Sequence, residues 1–324
     1  MYKKITVSSP GKLMLFGEHA VVHNHPCIVT AVDQRMMATV ELAENGIFEL
    51  NAKDVQVVDY KKSIKDLRVG DIPKGAKFVE IAVKNFLEKY PLINGIKITT
   101  KSGFSNKFGF GSSSASTVCI VKALLELTGK KLDNKEIFDL SYKTVLEIQG
   151  KASGFDIAAS IYGGTIFFHT AGKIIEPLIV KDLPLVVGYT GIKADTVTLV
   201  NMVLEKKKKN PLLIENIFNK IEDIVGQAKK ALVQSDWKTL GKLMDSNEIL
   251  LEKLGVGTGK LCNMIKSAIR AGAYGAKLSG AGGGDCMIAL VSKENRQNVE
   301  KAIEKAGGEV IKINTNAEGA KVEK

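Results

Sequence analysis

A chain of 324 residues with 45% apolar and 25% charged side chains is long enough for two domains and a sizeable core. No apolar run approaches the roughly 20 residues of a membrane span, and the start, MYKKITVSS, lacks the apolar stretch of a signal peptide, so a cytoplasmic, membrane-free protein is expected. The net charge of +11 suits small polyanions; with one Trp and no aromatics interleaved in the basic run Lys206 to Lys209, a nucleic-acid platform is not expected and that run reads as a solvated loop or helix end before Pro211.

Taken in chain order, Lys4 to Ser9 alternates like a strand that Pro10-Gly11 breaks. Cys27 to Leu42 is strand material, and Asn45-Gly46 is a hairpin signal before a short strand at Ile47 to Leu50. Lys77 to Tyr90 has a helical period and stops at Pro91; Ile96 to Thr100 returns to strand. Ser113 to Leu127 reads as helix, Asp133 with Glu136 forms a capping box opening a helix to about Gln149, and Thr165 to His169 is a strand. After a soft boundary at residues 172–184, the pattern gives a strand at Leu185 to Thr190 and two helices over Pro211 to Leu254, the second opening at Ser235. A third helix at Thr258 to Ala271, strands at Gly275 to Leu278 and Cys286 to Val291, a helix at Lys293 to Ala306 and a strand near Val310 to Ile313 complete it. The class is α+β. Four scattered cysteines without CxxC spacing read as reduced, mostly buried thiols.

Three segments carry chemistry. The central one, Lys107 to Ser116, sets Gly109 and Gly111 before Ser112, Ser113 and Ser114 at the start of a helix. Glycines let backbone N–H groups approach a ligand, and a helix N-terminus attracts negative charge, so the segment is a phosphate cradle or, equally on turn chemistry, a turn with an N-cap. It is not a Walker A loop, since no Gly-Lys-Ser/Thr follows. The others are Ser8 to Pro26, containing Gly17-Glu18-His19-Ala20-Val21-Val22, and Lys277 to Leu290, containing Gly280, Gly282, Gly283 and Gly284. Asp156, in a small and apolar run, reads alone as a helix N-cap, Lys12 as a strand-start lysine, His19 as a structural histidine and Thr196 as a helix cap.

In this order and at these separations the segments resemble the motifs of the GHMP kinases, nearly across the chain, and within that family the Gly17–Val22 motif looks most like the mevalonate kinases. The resemblance implies the GHMP kinase fold, two domains (1–178 and 179–324, the second ferredoxin-like) with the active site in the cleft between them. It implies ATP-dependent phosphorylation of the mevalonate 5-hydroxyl in isoprenoid biosynthesis, with ATP and Mg2+ as cofactors and no nucleic-acid or membrane partner. The oligomeric state is left open, a homodimer included. Asp156 and Lys12 are the implied catalytic pair, Gly109, Gly111, Ser112, Ser113 and Ser114 the phosphate site, Ser113 also the metal ligand, and Glu18, His19 and Thr196 the acceptor contacts. The third motif is expected to be structural.

Two departures stand out. The family's metal-binding glutamate, eleven residues ahead of the catalytic aspartate, falls on Val145; Glu147 is two positions away, about 200° around a helix. Gln149 to Asp156 and Asp285 look more like phosphomevalonate kinase, where Lys151 or Lys193 would hold an extra phosphate or else be solvated surface. Phosphomevalonate kinase is thus the nearer alternative and a basic RNA-binding protein the distant one.

Overall fold

In a computed structural model the chain is described over residues 3–43, 46–92, 94–105 and 107–323; Asn45, half of the expected hairpin signal, lies outside them. The first part contains β1 (Lys4–Phe16), β2 (Pro26–Ala43), β3 (Ile47–Ala52), β4 (Val57–Ser63), α1 (Lys77–Lys89) and β5 (Gly95–Ser102). It continues through α2 (Ser112–Thr128), α3 (Asn134–Gln149), α4 (Phe155–Tyr162), β6 (Thr165–His169) and β7 (Ile174–Leu178). The second part runs β8 (Leu185–Tyr189), α5 (Thr196–Lys209), α6 (Pro211–Val233), α7 (Trp237–Leu254), α8 (Gly259–Arg270), β9 (Gly275–Ser279), β10 (Cys286–Leu290), α9 (Arg296–Lys305), β11 (Glu309–Ile311) and β12 (Lys321–Val322).

Among the described residues the first sheet has eight strands in the order β12-β1-β2-β5-β3-β4, with β6 beside β2 and β7 beside β6. Only β3 and β5 run parallel within it. Helices α1 to α4 cover this sheet through an apolar layer that includes Phe48, Phe86, Val118, Ile120, Phe138 and Ile157, all buried. The second sheet, β11-β8-β10-β9, is antiparallel throughout. Its order, fourth-first-third-second in chain sequence, is that of a ferredoxin-like unit. No helix among the described residues is long and apolar enough to cross a membrane.

The structure corrects several boundaries. Pro10-Gly11 does not end the first strand. It makes a bulge, where the register moves from Pro10 opposite Arg35 to Gly11 opposite Val32. The two extra residues, Asp33 and Gln34, lie on β2, and Pro10 sits where this irregularity interrupts the ladder, a place that tolerates its missing N–H; a Cβ on Gly11 would lie 3.1 Å from Phe110 Cβ. The second long helix opens at Trp237 under an Asp236 cap, not at Ser235. Strands β4 and β7 have no counterpart in the sequence reading; β7 lies in the stretch taken as a boundary. The segment after β11 returns to the first sheet: Asn314 bonds Asp33, and β12 pairs with β1. The basic run forms the last turn of α5. Lys206 donates to the Leu254 carbonyl at 2.7 Å, Lys207 pairs with Glu215 and Lys208 with Glu205.

Candidate active site

Among the described residues four of the nine α-helices begin under a side-chain cap: Asp133 for α3, Asp195 for α5, Asp236 for α7 and Thr258 for α8. Helix α2 does not. Its N-cap is Gly111 at φ 78°, with no side-chain bond, so the serine-capped turn that the sequence also allowed is not formed. The first intrahelical bond is from Ala115 N to Gly111 O, which leaves the N–H groups of Ser112, Ser113 and Ser114 without helical acceptors at the positive end of a 17-residue helix. Helix α4 starts the same way, at Gly154 with φ 92°, and carries Asp156 in its first turn. Asp156 is therefore not the cap of its helix.

Gly111 is where the candidate residues meet. A Cβ there would stand 3.3 Å from Lys12 Cε and 3.6 Å from Asp156 Cβ. Only a residue without a side chain, free to take positive φ, fits between them. Lys12 reaches this point from β1 just past the bulge. Its N–H donates to Phe110 O at 3.0 Å and its Nζ to Gly109 O at 2.8 Å. It is thus bonded to the glycine loop, not directly to Asp156 as the resemblance implied. Burial lowers the pKa of its ammonium group, opposed by the nearby carboxylates of Asp156 and Asp285.

Residues of the second sheet close the other side. Asp285, at φ 50°, sets its Oδ2 where a Cβ on Gly109 would be 2.6 Å away. Its Oδ1 accepts from Ala194 N at 2.8 Å, and its backbone bonds Thr190 and Ile192. Burial raises the carboxyl's pKa, opposed by the Ala194 bond. Asp285 thus ties the segment before α5 to the glycine loop. Cys286 Sγ to Phe108 O at 3.3 Å, and Ser279 Oγ with the Met14 backbone at 2.9 and 3.1 Å, join the two sheets behind the site.

The sequence matches the family model for the GHMP kinases N terminal domain over residues 77–164 and that for the GHMP kinases C terminal over 228–309. A mevalonate kinase of Pyrococcus furiosus is 37% identical, the match covering 99% of this chain and 98% of that protein. The chain belongs to the GHMP kinases. Among solved structures, this kinase is similar to the mevalonate kinase of Methanococcus jannaschii, at TM-score 0.81 and 29% identity over 95% of this chain and 97% of the other. It is also similar to L. major mevalonate kinase in complex with R-mevalonate, at TM-score 0.78 and 26% identity over 98% and 97%. As a member of its family it is a small-molecule kinase with ATP as phosphoryl donor.

Not every residue expected at the acceptor or the phosphates has a surface there. Glu18 is fully buried in the kinase and ion-paired to Lys277, itself fully buried, while Asn247 Nδ2 lies 3.4 Å from its second oxygen. This corrects its placement as an acceptor contact. His19, at φ 59°, uses Nε2 on Ala281 O at 2.9 Å, joining the first motif to the third, and burial lowers its pKa. Ser114 is buried too, and its Oγ donates to Asp156 Oδ2 at 2.6 Å, so its hydroxyl does not face the phosphate position. Ser112 and Ser113 stay partly exposed at the loop. Thr196 is exposed at the first position of α5, two residues past the Ala194 that Asp285 holds.

Val145 is buried in the apolar core. Among the described residues no group of three or more His, Cys, Asp or Glu is arranged for a metal. A hard cation at the glycine loop would take the partly exposed Ser113 hydroxyl and complete its shell with phosphate oxygens and water. The residue that sequence reasoning missed altogether is Lys277. Its signal is a lysine in a strand, Gly275–Ser279, that is buried at every position.

Proposed function

We propose that this kinase transfers the γ-phosphoryl group of ATP to the 5-hydroxyl of mevalonate. The observation that carries the reading is the convergence of Lys12, Gly111 and Asp156 at an uncapped helix start, in a chain whose full-length relatives are named mevalonate kinases. The free N–H groups of Ser112, Ser113 and Ser114, with the permissive Gly109 and Gly111, hold the phosphates. Asp156 receives the proton of the acceptor hydroxyl as its oxygen attacks phosphorus. Lys12, beside Asp156, offsets charge on the transferred group. The Ser113 hydroxyl would hold Mg2+, which supplies neutralisation of phosphate charge. Thr196, on the rim formed by the second sheet, faces the acceptor. Residues 1–178, joined by the returning segment that ends in β12, and the rest of residues 179–324 act as the two walls of the cleft. A phosphorylated acceptor would need a cation for the phosphate it already carries; Lys151 and Lys193 are both exposed, and the Asp285 carboxylate lies near Lys193.

The test is ADP release with ATP and magnesium, comparing mevalonate and 5-phosphomevalonate with the product identified by mass. Turnover of mevalonate alone is expected, and Asp156→Asn and Lys12→Met each lower it by about 10²-fold or more without loss of fold. Turnover of phosphomevalonate alone would replace the acceptor. Near-wild-type rates in both variants would remove the mechanism.

A further inference from the structure

We infer that Ser114 is a positioning residue for phosphoryl transfer, holding the Asp156 carboxylate and not the nucleotide; the inference rests on the mevalonate kinase reading of the same site. Ser112, Ser113 and Ser114 are consecutive, but a helix turns about 100° per residue. Their side chains therefore cannot share one face. Ser112 and Ser113 remain accessible, whereas Ser114 is 1% exposed and turned inward. Its hydroxyl ends 2.6 Å from Asp156 Oδ2. The other carboxylate oxygen, Oδ1, accepts from Ile157 N at 3.1 Å.

Each carboxylate oxygen has two acceptor positions. One on Oδ2 is taken by Ser114 and one on Oδ1 by the start of α4. What remains is aimed by those two bonds. In the transfer step the acceptor's O–H bond breaks, with its proton passing to Asp156, as the acceptor oxygen bonds to the γ-phosphorus. The bond from that phosphorus to the β–γ bridging oxygen breaks, and its electron pair leaves on ADP. For this the base must be registered against the phosphates within a fraction of an ångström. Ser114 supplies that register, because the helix whose first N–H groups face the phosphates also carries the hydroxyl that grips the base. The base and the phosphate site are then fixed to one rigid element.

The test is steady-state kinetics of Ser114→Ala and Ser114→Thr, each also combined with Asp156→Asn, with melting temperatures as a check of fold. Loss of a hydrogen bond to a charged group predicts a fall in kcat of roughly 10- to 100-fold for Ser114→Ala. The KM values for ATP and mevalonate should stay within about threefold, since substrate binding is not touched. Ser114→Thr, which keeps the hydroxyl, should recover most of the rate. In the Asp156→Asn background, Ser114→Ala should have no further effect on single-turnover rates, because the group it positions is gone. Even if Ser114→Thr unfolds, this double-variant comparison decides. A raised ATP KM with kcat intact would return Ser114 to the phosphate cradle and overturn the inference. Wild-type kcat in Ser114→Ala, or losses that multiply independently with Asp156→Asn, would overturn it as well. Full activity of Asp156→Asn would instead sink the underlying mechanism, and activity only on phosphomevalonate would change the acceptor while the same Ser114 comparison is made with it.

Discussion

Replacing Lys277 by Met should unfold this protein more readily than any surface charge removal. Both Lys277 and Glu18 have no exposed side-chain surface, and the two come from β9 and from the turn after β1, 259 residues apart in sequence. Lys277 Nζ also donates to Leu278 O at 2.5 Å, so the ammonium group is satisfied within the protein. Removing it leaves the Glu18 carboxylate buried with only the 3.4 Å bond from Asn247. A buried charge stranded in this way costs roughly 3–5 kcal/mol, whereas the pair as a whole contributes little over an apolar replacement. Urea unfolding should therefore show a loss of about 3 kcal/mol or more for Lys277→Met, and the double variant Glu18→Gln/Lys277→Met should regain most of it. The control is Lys4→Met, whose pair with Glu41 is 62% and 34% exposed. Such a surface pair is worth under about 1 kcal/mol. A Lys277→Met loss as small as that of Lys4→Met would mean that water reaches the pair, and the argument from burial would fail.

Gly109→Ala should raise the KM for ATP by about tenfold, since it combines a left-handed backbone cost of about 1–2 kcal/mol with a Cβ 2.6 Å from Asp285 Oδ2. Gly129→Ala has a similar φ of +66° and nothing within 4 Å, so it should cost stability only and leave KM unchanged. Glu248 offers a pH test. Burial raises its carboxyl from an ordinary 4.5 to about 7, against the bond it accepts from Leu278 N. A raised acid favours the folded state fully below the unfolded pKa and loses that contribution as pH rises through the folded one. Stability relative to Glu248→Gln should thus fall between about pH 4.5 and 7, by up to about 3 kcal/mol; parallel urea profiles of the two proteins across that window would refute it.

Features set by short stretches of chain were legible from sequence. The Asp133–Glu136 capping box, the helix before Pro91 and the glycine loop before α2 all depend on neighbours within a few residues. Strands β4 and β7 escaped because they lie at or near the rim of the first sheet, where exposed polar positions blur the apolar alternation. Pro10-Gly11 looked like a stop because local chemistry cannot distinguish a bulge in a long paired strand from the strand's end. At the site, Lys12, Gly111 and Asp156 were legible as types that phosphoryl transfer needs. The separate duties of Ser113 and Ser114 were not, since they follow from which way α2 faces α4. Nor was the burial of Glu18, whose partner sits in β9 and is found only when the two sheets are brought together.

One group of bonds between the halves of the molecule lies behind the site. Glu18 with Lys277, His19 with Ala281, Ser279 with Met14 and Cys286 with Phe108 all lie along the backs of the first and third motifs. Those bonds hold the first and third motifs in register behind the glycine loop. The outer lip, from Gly191 to Thr198, is mostly exposed, and Asp285 holds it twice, accepting from Ala194 N through Oδ1 and donating its own N–H to Ile192 O. If release of ADP needs that lip to open, its two bonds to Asp285 set how fast it does so.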